Sequence, residues 1–244
     1  MKKVHFMLQG KGGIGKSFVS VAFSQWLQNQ GKENLLFLDL DQENPTFSQF
    51  KGIGATAVNV MAEGRNIDAR KFDQAMLQVF ENQGDVYVDT GANTFSPLLA
   101  YAIENGIFGM LAESGVTPIV HSVIGGGDTF FDTLAGFHDL ATNLPEIKMV
   151  AWKNQHFGDL VTSDGKTLEE TKAWGKAKGQ VIGEVNLVRR TQATFGKDIS
   201  DLLSLRLTLE EARQSGKFNF IALNRLSSIY EDIFRQLDGI EAIK

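Results

Sequence analysis

The chain has 244 residues, 43% hydrophobic and 22% charged, which is the balance of an ordinary globular protein long enough for one large α/β core. Its formal net charge of −5 speaks against a broadly basic nucleic-acid surface while permitting a local patch for DNA. The absence of cysteine excludes disulfides, cysteine-held clusters and thiol nucleophiles, and suits a reducing, cytoplasmic setting. No run approaches the roughly 18 uninterrupted apolar residues of a transmembrane helix, and Met1-Lys2-Lys3 leads into no secretory core, so no membrane insertion is expected.

Residues 4–8 form a short apolar strand, and directly after it comes Gly10-Lys11-Gly12-Gly13-Ile14-Gly15-Lys16-Ser17. That stretch fits G-x-x-x-x-G-K-[ST], a loop whose backbone N–H groups cradle phosphates. Glycines let the backbone take positive φ and approach an anion without interference from Cβ. Lys16 can reach the β- and γ-phosphates, and the Ser17 hydroxyl can ligate Mg²⁺. Downstream, Val19, Ala22, Phe23, Trp26 and Leu27 fall at i, i+3, i+4, i+7 and i+8, an amphipathic helix whose N-terminus faces the same charge, with Gly31 suited to follow its end.

Apolar runs at 34–40, 85–88, 117–124, 147–152 and 180–185 alternate with helix-length segments. Such runs imply parallel strands buried on both faces. The expected fold is α/β and doubly wound, a mostly parallel sheet with helices on both faces, the whole of residues 1–244 making one domain. Two strands end in acid. Period-two alternation puts Asp39 and Asp41 on one side, where a cation or phosphate-bound Mg²⁺ would relieve their repulsion. Asp89 ends the next strand before Thr90 and Gly91, and an acid there can hold Mg²⁺ through water.

Lys11, a second lysine inside the glycine run, is not needed for one phosphate site. With it the stretch from Lys11 to Ser17 resembles the deviant Walker A motif, K-G-G-x-G-K-[ST], of the ParA/MinD group of P-loop ATPases. The segment Asp39-Leu40-Asp41, with Asn44 and Thr46 after it, resembles the group's switch I, and Asp89-Thr90-Gly91 its switch II. Gln42 stands where the group often has proline, and Pro45 comes later. The resemblance implies a P-loop NTPase fold, ATP and Mg²⁺ as cofactors, and an ATP-dependent homodimer. It makes Gly10, Lys11, Gly12, Gly13, Ile14, Gly15, Lys16, Ser17 and Phe18 the nucleotide contacts, with Asn154 at the base. It places Ser17, Asp39 and Asp89 at the metal. Lys16 and Asp41 become catalytic, Asp41 by directing water, and Lys11 acts across the dimer interface.

Within the group the N-terminal half, from Met7 to Phe18 and around Asn44 and Thr46, is most similar to plasmid-encoded proteins of conjugative transfer and plasmid stability. This implies a plasmid role with a transfer or stability protein as partner. ATP is favoured over GTP because no N-K-x-D-like motif occurs. Two alternatives stand beside an ATPase: a nucleotide-gated interaction module with negligible turnover, and a small-molecule ligase of the same fold.

Other signals are weaker. Gly125-Gly126-Gly127-Asp128 suits a close approach of ligand or partner, or a plain turn. Arg189 and Arg190 could face nucleotide or partner, with solvated arginines as the default. His5, His121, His138 and His156 have no metal-ligand spacing, and Trp26, Trp152 and Trp174 read as core or half-buried. Residues 221–240 read as an amphipathic helix whose apolar face, including Ile221, Leu226, Ile229, Ile233 and Leu237, packs on the core.

Overall fold

Five of the apolar runs and the strand before the glycine loop lie side by side in one sheet of a computed structural model that describes residues 1–62 and 67–244. In chain order its elements are β1 (Lys3–Met7), α1 (Lys16–Asn29), β2 (Leu36–Asp39), β3 (Thr56–Ala57), α2 (Ala69–Glu81), β4 (Val86–Asp89), α3 (Ala92–Glu104), α4 (Ile107–Glu113), β5 (Thr117–Gly125), α5 (Phe130–Asn143), β6 (Lys148–Asn154), α6 (Lys172–Ala177), β7 (Val181–Leu187), α7 (Lys197–Ser204), α8 (Leu209–Gln214) and α9 (Phe220–Asp238). The sheet has seven strands in the order β3-β2-β4-β1-β5-β6-β7. Every pairing within it is parallel.

Alternation along the strands divides the core between the faces. Val4, Phe6 and Leu8 point into a cluster with α2 to α6, whereas Met7 joins α1, α7, α8 and α9 on the other face. Burial on both sides is why these strands read as continuous apolar runs. The chain runs from β1 toward β2 on one side and from its neighbour β5 toward β6 on the other, which leaves a crevice at the carboxyl ends of these strands. Gly31, with φ of +67°, follows the end of α1 and takes the left-handed conformation expected there.

Three expectations change in detail. β3 went unread because it is two exposed residues at the sheet edge. Ile221 is 63% exposed in the first turn of α9, so the packed face begins at Ala222 and runs through Leu226, Ile229, Tyr230, Ile233 and Leu237. The glycine run at 125–127 serves neighbouring backbone: a Cβ on Gly126 would collide with the carbonyl oxygen of Gly158, and one on Gly127 with that of Phe157. Gly127 N–H donates to the Asp159 carbonyl at 3.0 Å, sealing the segment after β6 onto that turn.

His5 and His121 are fully buried between β1 and β5. Trp152 Nε1 donates to His121 Nδ1 at 3.0 Å, so the ring proton of His121 sits on Nε2 and is donated to His5 Nδ1 at 2.9 Å. Burial holds both rings neutral, His5 down to about 3. They are core groups.

Candidate functional site

β1 delivers the chain to the crevice, and a glycine-rich turn reverses it into α1. Gly13 and Gly15 hold φ of +72° and +93°, left-handed values that admit glycine at little cost. Among the described residues no acceptor in hydrogen-bonding geometry is found for the N–H groups of Gly12, Gly13, Ile14 and Gly15. Successive free donors at the start of a 14-residue helix make an anion-binding concavity. Gly10 is glycine for a different reason, since a Cβ there would press on the ring of Phe95.

Lys16 Nζ lies across the loop and donates to the Lys11 carbonyl at 2.7 Å. Burial lowers its pKa, while Asp89 at the end of β4 and Asp41 in the loop after β2 pull the other way. Lys11 points away from the loop, and its ammonium meets Asp132, in the first turn of α5, at 2.7 Å. Gln9, 1% exposed, ties the same helix to the loop: its amide donates to the Val123 and Thr133 carbonyls at 3.1 and 3.0 Å.

The acids sit where the sheet register puts them. Asp39 and Asp89 are partners at the ends of β2 and β4. Asp39 Oδ1 accepts the Asp41 N–H at 3.0 Å and Oδ2 the Ser48 N–H at 2.8 Å, so its carboxylate pins both ends of the loop after β2. Burial raises its pKa in spite of these bonds. Asp89 is 4% exposed, and burial pushes its carboxyl up to about 7, with the Ser20 hydroxyl, donating at 2.7 Å, opposing the shift. Asp41 Oδ1 accepts the Asn44 N–H at 3.1 Å, and its carboxylate rests so closely on Gly91 that a Cβ there would displace it. Asn93, in the first turn of α3, donates to Glu43 in the loop after β2.

Asn154, at the end of β6, donates from its amide to the Ile14 carbonyl at 2.9 Å and accepts the His156 N–H at 3.0 Å. It thus braces the phosphate loop as well as lining a cavity of about 400 Å³ beside Gly15 and Phe18. Arg190 lies in that cavity rather than free in solvent: it stacks over Phe195 at 5.3 Å and pairs with Asp232 at 3.6 Å. Arg189 is exposed.

The crevice therefore collects Gly10 to Phe18, Asp39, Asp41, Asp89 and Asn154. Sequence reasoning passed over Gln9, Ser20, Tyr87 and Asp132, whose partners are set by tertiary packing. Among the described residues no group of three or more His, Cys, Asp or Glu side chains could hold a metal ion by itself. The Ser17 hydroxyl and the paired strand-end carboxylates of Asp39 and Asp89 are the hard oxygen donors that suit Mg²⁺, an ion that usually keeps several waters and is completed by substrate phosphates. Among the described residues no single helix is long and apolar enough to cross a membrane; α3 and α4 pass such a test only jointly, across a bend of 58°.

No family model matches the chain. Two proteins of Escherichia coli, each named Protein TraL, are 34% identical to it over 240 residues, covering 98% of this chain and 98% of theirs. Among solved structures it resembles a chain of the MinC:MinD cell division protein complex of Aquifex aeolicus, with a TM-score of 0.50 and 13% identity over 98% of this chain and 96% of that one. The second likeness concerns the fold, and the first extends nearly end to end. The chain belongs to the TraL proteins, and its fold is like that of MinD.

Proposed function

We propose that residues 1–244 form one Mg²⁺-dependent ATP-binding domain that hydrolyses ATP, slowly or on stimulation by a partner, and dimerises around the nucleotide. The observation that carries this reading is the loop itself: free N–H groups from Gly12 to Gly15, with Lys16 close to Asp89 and Asp41. Mg²⁺-ATP supplies the reactive γ-phosphoryl group and the divalent charge that offsets it. The chain's own part is positioning and electrostatics. Loop N–H groups and Lys16 hold phosphate oxygens, and Ser17 with Asp89 and Asp39 serves the metal side. Asp41 orients the attacking water once its bond to Asn44 is released. Asn154 meets the base with the amide hydrogen that Ile14 does not take, and the cavity beside Phe18 gives the nucleoside room.

Lys11 is the proposed cross-subunit cation, handed from Asp132 of its own chain to the nucleotide of the partner subunit. Resemblance to plasmid-encoded ParA-like proteins supports a role in plasmid transfer, segregation or positioning, exerted on a protein partner that reads the dimer. The engagement of Asp41 by Asn44 and Gly91 favours a second reading, a nucleotide-gated module with negligible turnover. ATP-driven dimerisation without phosphate release would select it.

Lys16→Ala removes the loop cation and no core residue. Calorimetric titration should show Mg²⁺-ATP binding by wild type and none by a folded Lys16→Ala protein. Unchanged affinity in that variant would overturn the assignment.

A further inference from the structure

Behind the loop a second polar group lies wholly inside the protein. Ser20 on α1 is 0% exposed and sits one turn beyond Ser17, on the same helix face. Tyr87 and Asp89 are two residues apart on β4, so their side chains share one face of the sheet, the face that α1 covers. The Tyr87 hydroxyl, also 0% exposed, donates to Ser20 Oγ at 2.9 Å, and Ser20 Oγ donates to Asp89 Oδ1 at 2.7 Å. Both hydroxyl protons are thereby committed in one direction, toward the carboxylate. Bonds aligned in this way polarise one another in a low-dielectric interior.

The consequence for Asp89 is asymmetric. Oδ1 is clamped from behind, whereas Oδ2 accepts no hydrogen bond from the described residues and is the oxygen left for the crevice. An ordinary core tyrosine in this apolar setting needs only some acceptor for its hydroxyl. Here the acceptor is a serine whose own proton is spent on the one acid that ends β4. We propose that Ser20 and Tyr87 are positioning residues that fix the Asp89 carboxylate, so that one oxygen is presented to a water of the nucleotide-bound Mg²⁺. This rests on the Mg²⁺-ATP reading above and adds the residues that set its metal dependence.

The test separates metal from nucleotide. A fluorescent ATP analogue, N-methylanthraniloyl-ATP, is titrated into wild type, Ser20→Ala, Ser20→Thr, Tyr87→Phe, Asp89→Asn and the Ser20→Ala/Asp89→Asn double variant. Each titration is run in EDTA and over a Mg²⁺ series, after thermal melts establish which variants fold. Loss of a hydrogen bond to a charged group should raise the Mg²⁺ midpoint on the order of tenfold in Ser20→Ala. Tyr87→Phe, one bond further back, should raise it about threefold. Ser20→Thr, which keeps the hydroxyl, should restore it, and affinity in EDTA should not change in the Ser20 and Tyr87 single variants. Residues acting through one carboxylate are not additive, so the double variant should match Asp89→Asn.

An unchanged midpoint in the folded variants overturns the proposal, as does an equal loss with and without Mg²⁺ or an additive double variant. If Ser20→Ala does not fold, the midpoint of Tyr87→Phe decides. Failure of the underlying reading looks different: wild type itself would bind the analogue neither in EDTA nor with Mg²⁺.

Discussion

Asp89 shows how a single residue carries both a cost and a use. Its carboxyl, pushed up to about 7 by burial, takes up a proton in the folded chain that the unfolded chain, at the ordinary aspartate value near 3.8, releases. The folded state therefore binds more protons between those values, and stability falls as pH rises through the window. The penalty is complete above about 7 and absent below about 4. Asp89→Asn should thus raise Tm at pH 8, and its advantage should shrink toward zero as pH approaches 4. At about 1.4 kcal/mol per pKa unit the gain at pH 8 is on the order of 4 kcal/mol as an upper bound. Thermal melts across that range check it, and a constant difference at every pH would contradict it.

Lys11 and Asp132 behave differently, because their side chains are 41% and 59% exposed. An ion pair that open to water contributes about 0–1 kcal/mol to stability. Asp132→Asn should leave Tm nearly unchanged yet free Lys11, so that ATP and Mg²⁺ dimerise the protein at a lower concentration. Light scattering over a dilution series reads this, and a dimer weaker than wild type would contradict the handover from Asp132.

At the scale of elements, the strands and the phosphate loop were legible because each carries its cause in local sequence. Strands buried on both faces must be apolar throughout, and the loop must have glycine where φ is positive. The acids were legible as well, since an apolar run that stops in Asp marks a strand end. What sequence could not show is what those ends touch. The brace from Asn154 to Ile14 and the pairing of Arg190 with Asp232 join segments far apart in the chain. Some short helices did leave a signal that went unread: Thr208 and Glu211 form a capping box at the start of α8, as do Thr167 and Glu170 ahead of α6.

The glycine run after β5 was legible as a close approach, but the partner is the chain's own loop at Phe157 and Gly158. Gly126→Ala forces that loop off the turn. It should lower Tm by about 4–10 °C, taking about 2–3 kcal/mol for the displacement in a chain of this length. Gly179, whose Cβ would meet nothing, is the control, and Gly179→Ala should melt close to wild type. Equal melting of the two variants would show that the packing of this turn contributes nothing.

Across the whole molecule, parallel strands bring the phosphate loop, both acidic loops and Asn154 to one end of the sheet, while α7 and α9 close the side of the cavity. An ATP-linked dimer would join two such ends about a two-fold axis, and each Lys11 would then serve the opposite subunit. A ligand shifts a monomer–dimer equilibrium only by its differential affinity for the two forms, and in this account Lys11 supplies that difference. Sedimentation velocity of the Asp41→Ala protein, in which turnover should be blocked, tests the claim most directly. With ATP and Mg²⁺ that variant should sediment as a dimer, and Lys11→Ala/Asp41→Ala should bind ATP yet remain a monomer. A monomer in both, or an ATP-induced dimer that survives in the double variant, would contradict the account.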